Sequence, residues 1–176
     1  MARLWSCGFE LGTSTSGVEF DLASSATIVA TTIRSGTYSL NVTQAASASY
    51  AQYTFSSADK AITYYRFYVN RVGSFNAHIF IIKNGANNIA YLTPPGVNDN
   101  KLKLVEGVGG TQVGSNSPVT VSNGWHCWEI MVDMTTLASS VLAARLDGYE
   151  FARGTVDLST RSLPDTIIIG SDVGQS

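Results

Sequence analysis

Charged residues are scarce in this chain of 176 residues, and long apolar runs are absent. Eleven Lys and Arg against thirteen Asp and Glu leave a formal net charge of −2. The basic residues are scattered singly, which excludes the clustered cationic face that a nucleic-acid partner requires. No apolar run approaches the roughly 20 residues that span a bilayer, so no membrane partner is expected. The N-terminal "MARLWSCGFELG" also lacks the apolar segment of a secretory signal peptide. The protein therefore either stays inside a cell or leaves it by another route, such as lysis or assembly into a particle. Of these, we expect a virion or extracellular location that is reached without a signal peptide.

Cysteine and histidine are nearly absent as well. Cys7 and Cys127 are too few for a disulfide framework, and their separation matches no metal site. The two thiols either form a single bridge or lie isolated and largely buried; the sequence favours the second arrangement but does not decide whether they meet. The two histidines, His78 and His126, are not at a zinc-ligand spacing either.

The pattern that is present is a two-residue alternation of apolar and polar side chains, which is typical of strands. In "ITYYRFYVN" (62–70), the residues Tyr64, Arg66 and Tyr68 share one face and the apolar ones share the other. Similar stretches recur between turns of Gly, Asn, Ser and Pro: "GTYSLNVTQ", "SYAQYTF", "AHIFIIKNG", "NIAYLT", "KLKLVE", "TQVG", "PVTVS", "WHCWEIMVDM", "VLAARLDGYEF" and "TIIIG". Many short strands joined by turns predict one antiparallel β-sandwich or barrel, with 1–176 as a single domain.

The stretch "NGWHCWEIMVDMTT" (123–136) concentrates two Trp, a His, a Cys, a Glu and an Asp in about one strand length. Alternation places His126 and Trp128 on one face, and Trp125 and Glu129 on the other. Both faces are largely apolar, which is expected of a central strand in a sandwich whose outer face is partly covered. We interpret the stretch as core rather than as a catalytic cluster.

The order of the motifs carries a family resemblance. A turn, a Trp-His pair, alternating apolar residues and a strand that ends in Asp-Gly run here as "GWHCWEIMVD … VLAARLDGYEF … TIIIG". Upstream, "GFELG", "SGTYSLNV", "YYRFYVN" and "AHIFIIKNG … NIAYLT … KLKLVEG" follow in the family's order. In this the chain resembles the concanavalin A-like lectin/glucanase family, and its laminin-G-like branch in particular. The resemblance implies an all-β, antiparallel jelly-roll β-sandwich.

One part of that family's pattern is missing. Its members usually have one more strand after the one that matches "TIIIG", whereas this chain ends in "SDVGQS". We expect the last sheet position to be empty, to be filled by the N-terminal "RLWSCGFEL", or to be completed by another chain. Because an unpaired edge promotes association, the expected partners are other protein subunits, as a homo-oligomer or within a capsid or tail.

A catalytic site of the glucanase type is not expected. The family's glucanases place carboxylates along one strand face as Glu-x-Asp-x-(x)-Glu. "VEFDLAS" offers Glu19 and Asp21 without a third carboxylate, and an apolar residue stands midway between Glu129 and Asp133. No G-x-S-x-G elbow occurs, and no Asp is placed to orient the imidazole of His126. The sequence predicts that the protein is not an enzyme.

Jelly rolls of this type commonly bind glycans, which the resemblance extends to this chain as an expectation. Sugar binding uses aromatic side chains beside polar groups. The candidates are Tyr64, Arg66 and Tyr68 on one strand face, and Trp125 on the face opposite His126. In the alternative, which the enrichment of Tyr in strands favours, the two tyrosines are cross-strand partners that cover a partly exposed sheet.

The loop "GVNDNKL" carries Asn98, Asp99 and Asn100, whose side-chain oxygens are ligands of the kind that calcium takes. It lacks the order of an EF-hand loop, so an ordinary Asx-rich turn is favoured over a calcium site. No cofactor is expected, with calcium in this loop as the alternative.

The main prediction is a non-catalytic structural or adhesive β-sandwich, such as a bacteriophage capsid decoration or tail protein. Small polar residues, low charge and the expected open sheet position favour such a virion component, whose function lies in surface complementarity. A carbohydrate-binding, lectin-like module is the first alternative. A polysaccharide hydrolase of the glucanase type is the second.

Overall fold

The computed structural model of this chain describes residues 20–24, 26–43, 48–55, 60–72, 77–96, 99–117, 121 and 123–172. The described residues form thirteen strands and one 3-10 turn, and none of them forms a helix long and apolar enough to cross a membrane. The strands are β1 (Asp21–Ser24), β2 (Thr27–Val29), β3 (Ser39–Asn41), β4 (Ser49–Thr54), β5 (Ile62–Arg71), β6 (Phe80–Asn84), β7 (Asn87–Thr93), β8 (Lys103–Glu106), β9 (Gln112–Val113), β10 (Gly124–Asp133), β11 (Ser140–Leu146), β12 (Tyr149–Val156) and β13 (Thr166–Ser171).

Two antiparallel sheets pack face to face. The larger has seven strands in the order β1-β4-β13-β6-β7-β8-β9, and the smaller has four in the order β12-β11-β10-β5. The strands β2 and β3 pair with each other as a separate hairpin. This non-sequential strand order, with every pairing antiparallel, confirms the predicted jelly-roll β-sandwich.

One apolar core fills the space between the sheets. Trp128, in the middle of β10, is fully buried and meets Phe151 of β12 edge to face, with 6.2 Å between the ring centroids. Across the sandwich, Phe67 of β5 stacks on Phe80 of β6 at 4.3 Å. The faces predicted for β5 and β10 are confirmed, because the two-residue period of a strand alone decides which side chains meet the opposing sheet.

Most of the predicted strands are present, and the segment "TTLASS" contains the 3-10 turn Leu137–Ser139. The stretch "VLAARLDGYEF" is a hairpin whose turn residues Asp147 and Gly148 have φ of 50° and 84°, which is the left-handed pair of a tight two-residue turn. The short strands β1 and β2 were not predicted, because neither is long enough to show an alternation. Most of "PVTVS" and the N-terminal segment with Cys7 and Glu19 lie outside the described residues.

β13 lies inside the larger sheet, between β4 and β6. Both of its edges are hydrogen-bonded, so no position beside "TIIIG" is empty, and the N-terminal "RLWSCGFEL" of the second alternative lies outside the described residues. The space is filled by β4, a strand from much earlier in the chain, and chain order does not report that pairing. The sheet edges among the described strands are instead β1 and β9 in the larger sheet and β5 and β12 in the smaller.

The turn after β8 is held by close backbone contacts. The N–H of Gly107 donates to the carbonyl of Ile89 at 2.8 Å, and a Cβ at position 107 would overlap the carbonyl of Asn88. Only glycine fits so close an approach of two backbones. The guanidinium of Arg161 donates to the carbonyls of Asn88 and Gly107, both at 2.9 Å. These hydrogen bonds connect the turn to the segment before β13.

Candidate functional site

Aromatic and charged side chains lie together on the outer face of the smaller sheet. Alternation turns Tyr64, Arg66 and Tyr68 of β5 away from the core, and the register places Trp125 and Glu129 of β10 beside them. The strands β11 and β12 extend the same face. We call this face of the four strands the outer platform. It comprises Tyr64, Arg66, Tyr68, Trp125, Glu129, Met131, Ala143, Arg145, Glu150 and Arg153.

Two tyrosines provide its aromatic surface. Tyr64 is 56% exposed and Tyr68 is 41% exposed. They lie on one face of β5 four residues apart, which separates them by about 13 Å along the strand. The guanidinium of Arg34 lies over the Tyr68 ring, 3.5 Å from its centroid, in a cation–π contact. One ring is therefore open to solvent, and the other already carries a cation on its face.

A row of alternating charges crosses the four strands of the platform. Nε and Nη2 of Arg66 donate to Oε1 of Glu129 at 2.9 and 2.5 Å. Arg153 donates through Nε and Nη2 to both oxygens of Glu150 at 2.9 Å, and Nη2 of Arg145 lies 3.5 Å from Oε2 of Glu150. The hydrogen bond from Arg153 lowers the pKa of Glu150 and raises that of Arg153. The side chains of the three arginines are each about half exposed or more, so part of every guanidinium is open to solvent.

A second row of side chains, one from each of the four strands, lies next to the charged row. Tyr64 is opposite Met131, which is opposite Ala143, which in turn is opposite Arg153. The two middle side chains are apolar; Ala143 is only 4% exposed and Met131 is partly exposed, so they form a low, largely covered floor between an aromatic ring and a guanidinium. An apolar floor with a few polar groups at its margin is the usual surface for a bound sugar.

All four predicted binding residues lie on this platform. The structure adds Arg34, Arg145, Glu150 and Arg153, which the sequence analysis missed. Alternation in "VLAARL" was a signal for Arg145, since it is flanked by inward-facing leucine and alanine. The juxtaposition of these residues with β5 depends on register, which no local pattern reports. The binding role of the predicted residues stays a prediction.

The interpretation of 123–136 as core is correct for one face only. Trp128 and the alternate residues after it are buried, while Trp125, Cys127 and Glu129 on the other face are partly exposed. Because the smaller sheet has the larger sheet on one side alone, its second face forms the platform. Cys7 lies outside the described residues, so a bridge to Cys127 stays open.

His126 has an orienting carboxylate, which corrects the expectation that none is placed for it. Oδ2 of Asp147 lies 2.7 Å from Nδ1 of His126, and Oδ1 of Asp147 accepts the N–H of Cys127 at 2.8 Å. Burial acts to raise the pKa of Asp147, but the hydrogen bonds from His126 and Cys127 outweigh it and lower that pKa. The two residues are distant in sequence, and the β10–β11 pairing brings the turn back to the start of β10.

Replacing Asp147 by asparagine tests this contact. Asn tolerates the positive φ and retains an acceptor for Cys127, so only the charged contact with His126 is lost. We expect Asp147→Asn to lower the free energy of unfolding by about 1 kcal/mol, measured by urea denaturation at neutral pH. Asp99→Asn is the control, because Asp99 accepts the N–H of Lys101 and Asn can do the same. Equal losses in both variants would contradict the role of the His126 contact.

The loop predicted as the calcium alternative uses its oxygens within the protein. Oδ1 of Asp99 accepts the N–H of Lys101 at 2.9 Å, and Oδ1 of Asn100 accepts a hydrogen bond from Arg71. Asn98 lies outside the described residues. Within the part of the chain that the structure describes, no group of three or more His, Cys, Asp or Glu is placed to hold a metal ion. Calcium binding stays an untested prediction.

A second aromatic pair lies on the larger sheet. The ring of His78 packs against that of Tyr91 with 4.5 Å between centroids, and burial lowers the pKa of His78. Burial and the nearby Glu106 raise the pKa of Tyr91. His78 is thus neutral at pH 7, as a packed histidine in an apolar setting should be.

No protein-family model and no curated protein sequence matches the chain. Among solved structures, it is similar to the endo-β-1,4-glucuronan lyase of the fungus Trichoderma reesei, with a TM-score of 0.58 and 15% sequence identity. The match covers 88% of this chain and 79% of that one. The likeness supports the β-sandwich fold, but it does not show that the chain belongs to the laminin-G-like branch.

This likeness corrects the prediction that the chain is not an enzyme. A protein of the same fold is a polysaccharide lyase, so the fold does accommodate catalysis. The prediction was wrong because it searched for the paired carboxylates of a hydrolase. Other acid and base side chains, such as histidine, tyrosine and lysine, transfer protons in other reactions, and a missing Glu-x-Asp-x-Glu pattern says nothing about them.

Proposed function

We propose that this protein binds a polysaccharide on the outer platform. The observation that carries the proposal is the pair of exposed tyrosines, Tyr64 and Tyr68, on one face of β5 with guanidinium groups beside them. Aromatic rings stack on the apolar faces of sugars, and the charged row supplies donors and acceptors for hydroxyl groups.

The packing around the tyrosines argues against the purely structural alternative. In that alternative the cross-strand partner of each tyrosine would cover its ring. The partners are Met131 for Tyr64 and Cys127 for Tyr68, and both tyrosines stay exposed beside them. Tyr64 and Tyr68 are both more than a third exposed, and Tyr64 leaves the more apolar area for a ligand to bury, because Arg34 covers one face of Tyr68.

The comparison with solved structures supports the same proposal. The neighbour acts on glucuronan, a polysaccharide, according to its name. That favours the carbohydrate-binding alternative over the virion component, for which no comparison offers support. The laminin-G-like branch, assembly with other subunits and a virion or extracellular location stay predictions. Light scattering with size-exclusion chromatography tests the assembly.

Polysaccharide binding can be measured by affinity electrophoresis and calorimetry with soluble β-1,4-linked polymers, both neutral and acidic. We expect Tyr64→Ala and Tyr68→Ala each to weaken binding about tenfold, which corresponds to about 1.4 kcal/mol of lost contact. Trp125→Ala is expected to weaken it less, because Trp125 is at the edge of the platform and only partly exposed. The folded state of each variant is checked by its unfolding midpoint.

Tyr149→Ala is the matched control. Tyr149 is also a well-exposed tyrosine, but it lies at the β11–β12 turn and off the platform. Binding that falls equally with Tyr149→Ala, or no binding to any polymer, would overturn the proposal. The length of each polymer after incubation is measured in the same mixtures, and shortening would show that the binding face belongs to an enzyme.

A further inference from the structure

Arg145 occupies the centre of the platform with little of its hydrogen-bonding capacity used. Its side chain is half exposed, and its ion pair with Glu150 is long at 3.5 Å. Its other neighbour by register, Glu129, accepts both described bonds from Arg66. Arg153 already engages both oxygens of Glu150. In the described part of the chain, the guanidinium of Arg145 therefore keeps donors for a further acceptor.

The charge balance of the platform has the sign that an anion requires. Three arginines, Arg66, Arg145 and Arg153, lie beside two carboxylates, and Arg34 adds a fourth guanidinium above Tyr68. The whole chain carries a formal net charge of −2. Asp133, at the end of β10, adds a third carboxylate on the same face, so with all four guanidinium groups the face keeps a small excess of positive charge, which attracts an anionic ligand.

The row that contains the low floor runs across the strands and would orient a bound chain in that direction. From Tyr64 the row passes over Met131 and Ala143 to Arg153, on four neighbouring strands. Three strand spacings amount to about 14 Å, which is the length of a short oligosaccharide rather than of one sugar. The charged row with Arg145 runs beside this floor along its whole length.

The geometry points to an acidic polysaccharide as the ligand of the outer platform, lying across the strands with its acid groups on Arg145. This inference rests on the proposed polysaccharide binding and adds the ligand's charge and direction. A carboxylate of a uronic acid and a sulfate ester present the same oxygens to a guanidinium fork. A ring stacks on Tyr64, and the acid groups of the following sugars face the charged row.

The experiment uses three polymers and the full chain. Binding is measured by calorimetry to polyglucuronate, to the same polymer after reduction of its carboxyl groups, and to a sulfated glycan. We expect the reduced polymer to bind about tenfold more weakly than polyglucuronate, since charge-assisted hydrogen bonds to Arg145 are lost. Arg145→Gln should abolish that difference, and Arg145→Lys should restore part of it because the charge returns without the fork.

Lys103→Gln removes the same charge from β8 on the other sheet and is expected to leave all three affinities unchanged. Affinity for polyglucuronate should fall with added salt in the natural protein and less steeply in Arg145→Gln. Tighter binding of the sulfated glycan, lost in Arg145→Gln, supports the anion site with sulfate as its group.

Two outcomes separate this inference from the proposed function. Equal binding of the reduced and the acidic polymer would overturn the acidic ligand while the platform still binds polysaccharide. No binding to any of the three would overturn both. A loss in Lys103→Gln as large as that in Arg145→Gln would also overturn the inference, because general attraction would then explain the binding.

Discussion

Trp128→Ala is expected to lower the free energy of unfolding by about 3–5 kcal/mol. The indole of Trp128 is fully buried in the middle of β10 and packs edge to face on Phe151. Truncation removes its apolar contacts and leaves a cavity that the neighbouring side chains of the two sheets cannot fill. A typical domain has about 5–15 kcal/mol of stability in total, so this loss approaches the whole of it. Urea denaturation followed by circular dichroism measures the change.

Two further variants keep this prediction decisive if Trp128→Ala does not fold. The indole N–H of Trp128 finds no acceptor among the described residues, so Trp128→Phe loses packing without losing a hydrogen bond. Its cost is expected to be below about 1.5 kcal/mol. Trp125→Ala, on the partly exposed outer face of the same strand, should cost less than Trp128→Ala. A larger loss at Trp125 would contradict the position of the core.

Glu106→Ala is expected to cost about 2 kcal/mol of stability, because it removes the charged acceptor of three part-buried backbone N–H groups. The side chain of Glu106 turns into the β8–β9 turn, where its carboxylate accepts the N–H groups of Val108, Gly109 and Thr111 at 2.5, 2.8 and 2.9 Å. Glu106 itself is only 6% exposed. Val108, Gly109 and Thr111 are themselves exposed, so without Glu106 their N–H groups would bind water and the turn would lose its fixed conformation. Thermal and urea unfolding measure the loss.

The pH dependence of stability gives this prediction a second readout. Burial acts to raise the pKa of Glu106, but the backbone N–H groups of Thr111, Val108 and Gly109 outweigh it and lower that pKa. The carboxylate therefore stabilises the fold above its unfolded pKa, and this contribution is lost as the pH falls through the lower folded pKa. The difference in the free energy of unfolding between the natural protein and Glu106→Gln should be largest at neutral pH and shrink in acid.

Glu129→Gln is the control for Glu106. It removes a carboxylate from the open ion pair with Arg66 on the outer platform, where the expected change is about 0–1 kcal/mol. If Glu129→Gln lost as much as Glu106→Ala, the backbone contacts of Glu106 would not explain its effect.

The outer platform shows which residues of a site local sequence patterns can predict and which they cannot. The faces of β5 and of β10 follow from alternation, so Tyr64, Arg66 and Tyr68 were predicted to share one strand face, and Trp125 was predicted separately on the face opposite His126. Arg153 was missed although it belongs to the same surface, because it lies on a strand far along the chain. An offset in the β11–β12 pairing between Ala144 and Arg145 also changes which residues face outward, and a bulge leaves no mark in the sequence.

Local sequence patterns predicted most of the strands, the inward and outward faces of the longest ones and the class of fold. These follow from contacts between residues that are close in the chain, and a two-residue period reports them directly. Tertiary structure alone decided the neighbours of each strand. It placed β4 beside β13, and it placed Asp147 on His126, where no carboxylate was expected. It also brought Arg145 between Glu129 and Glu150. Pairings of this kind depend on the packing free energy of the whole core, which is why no single stretch of sequence encodes them.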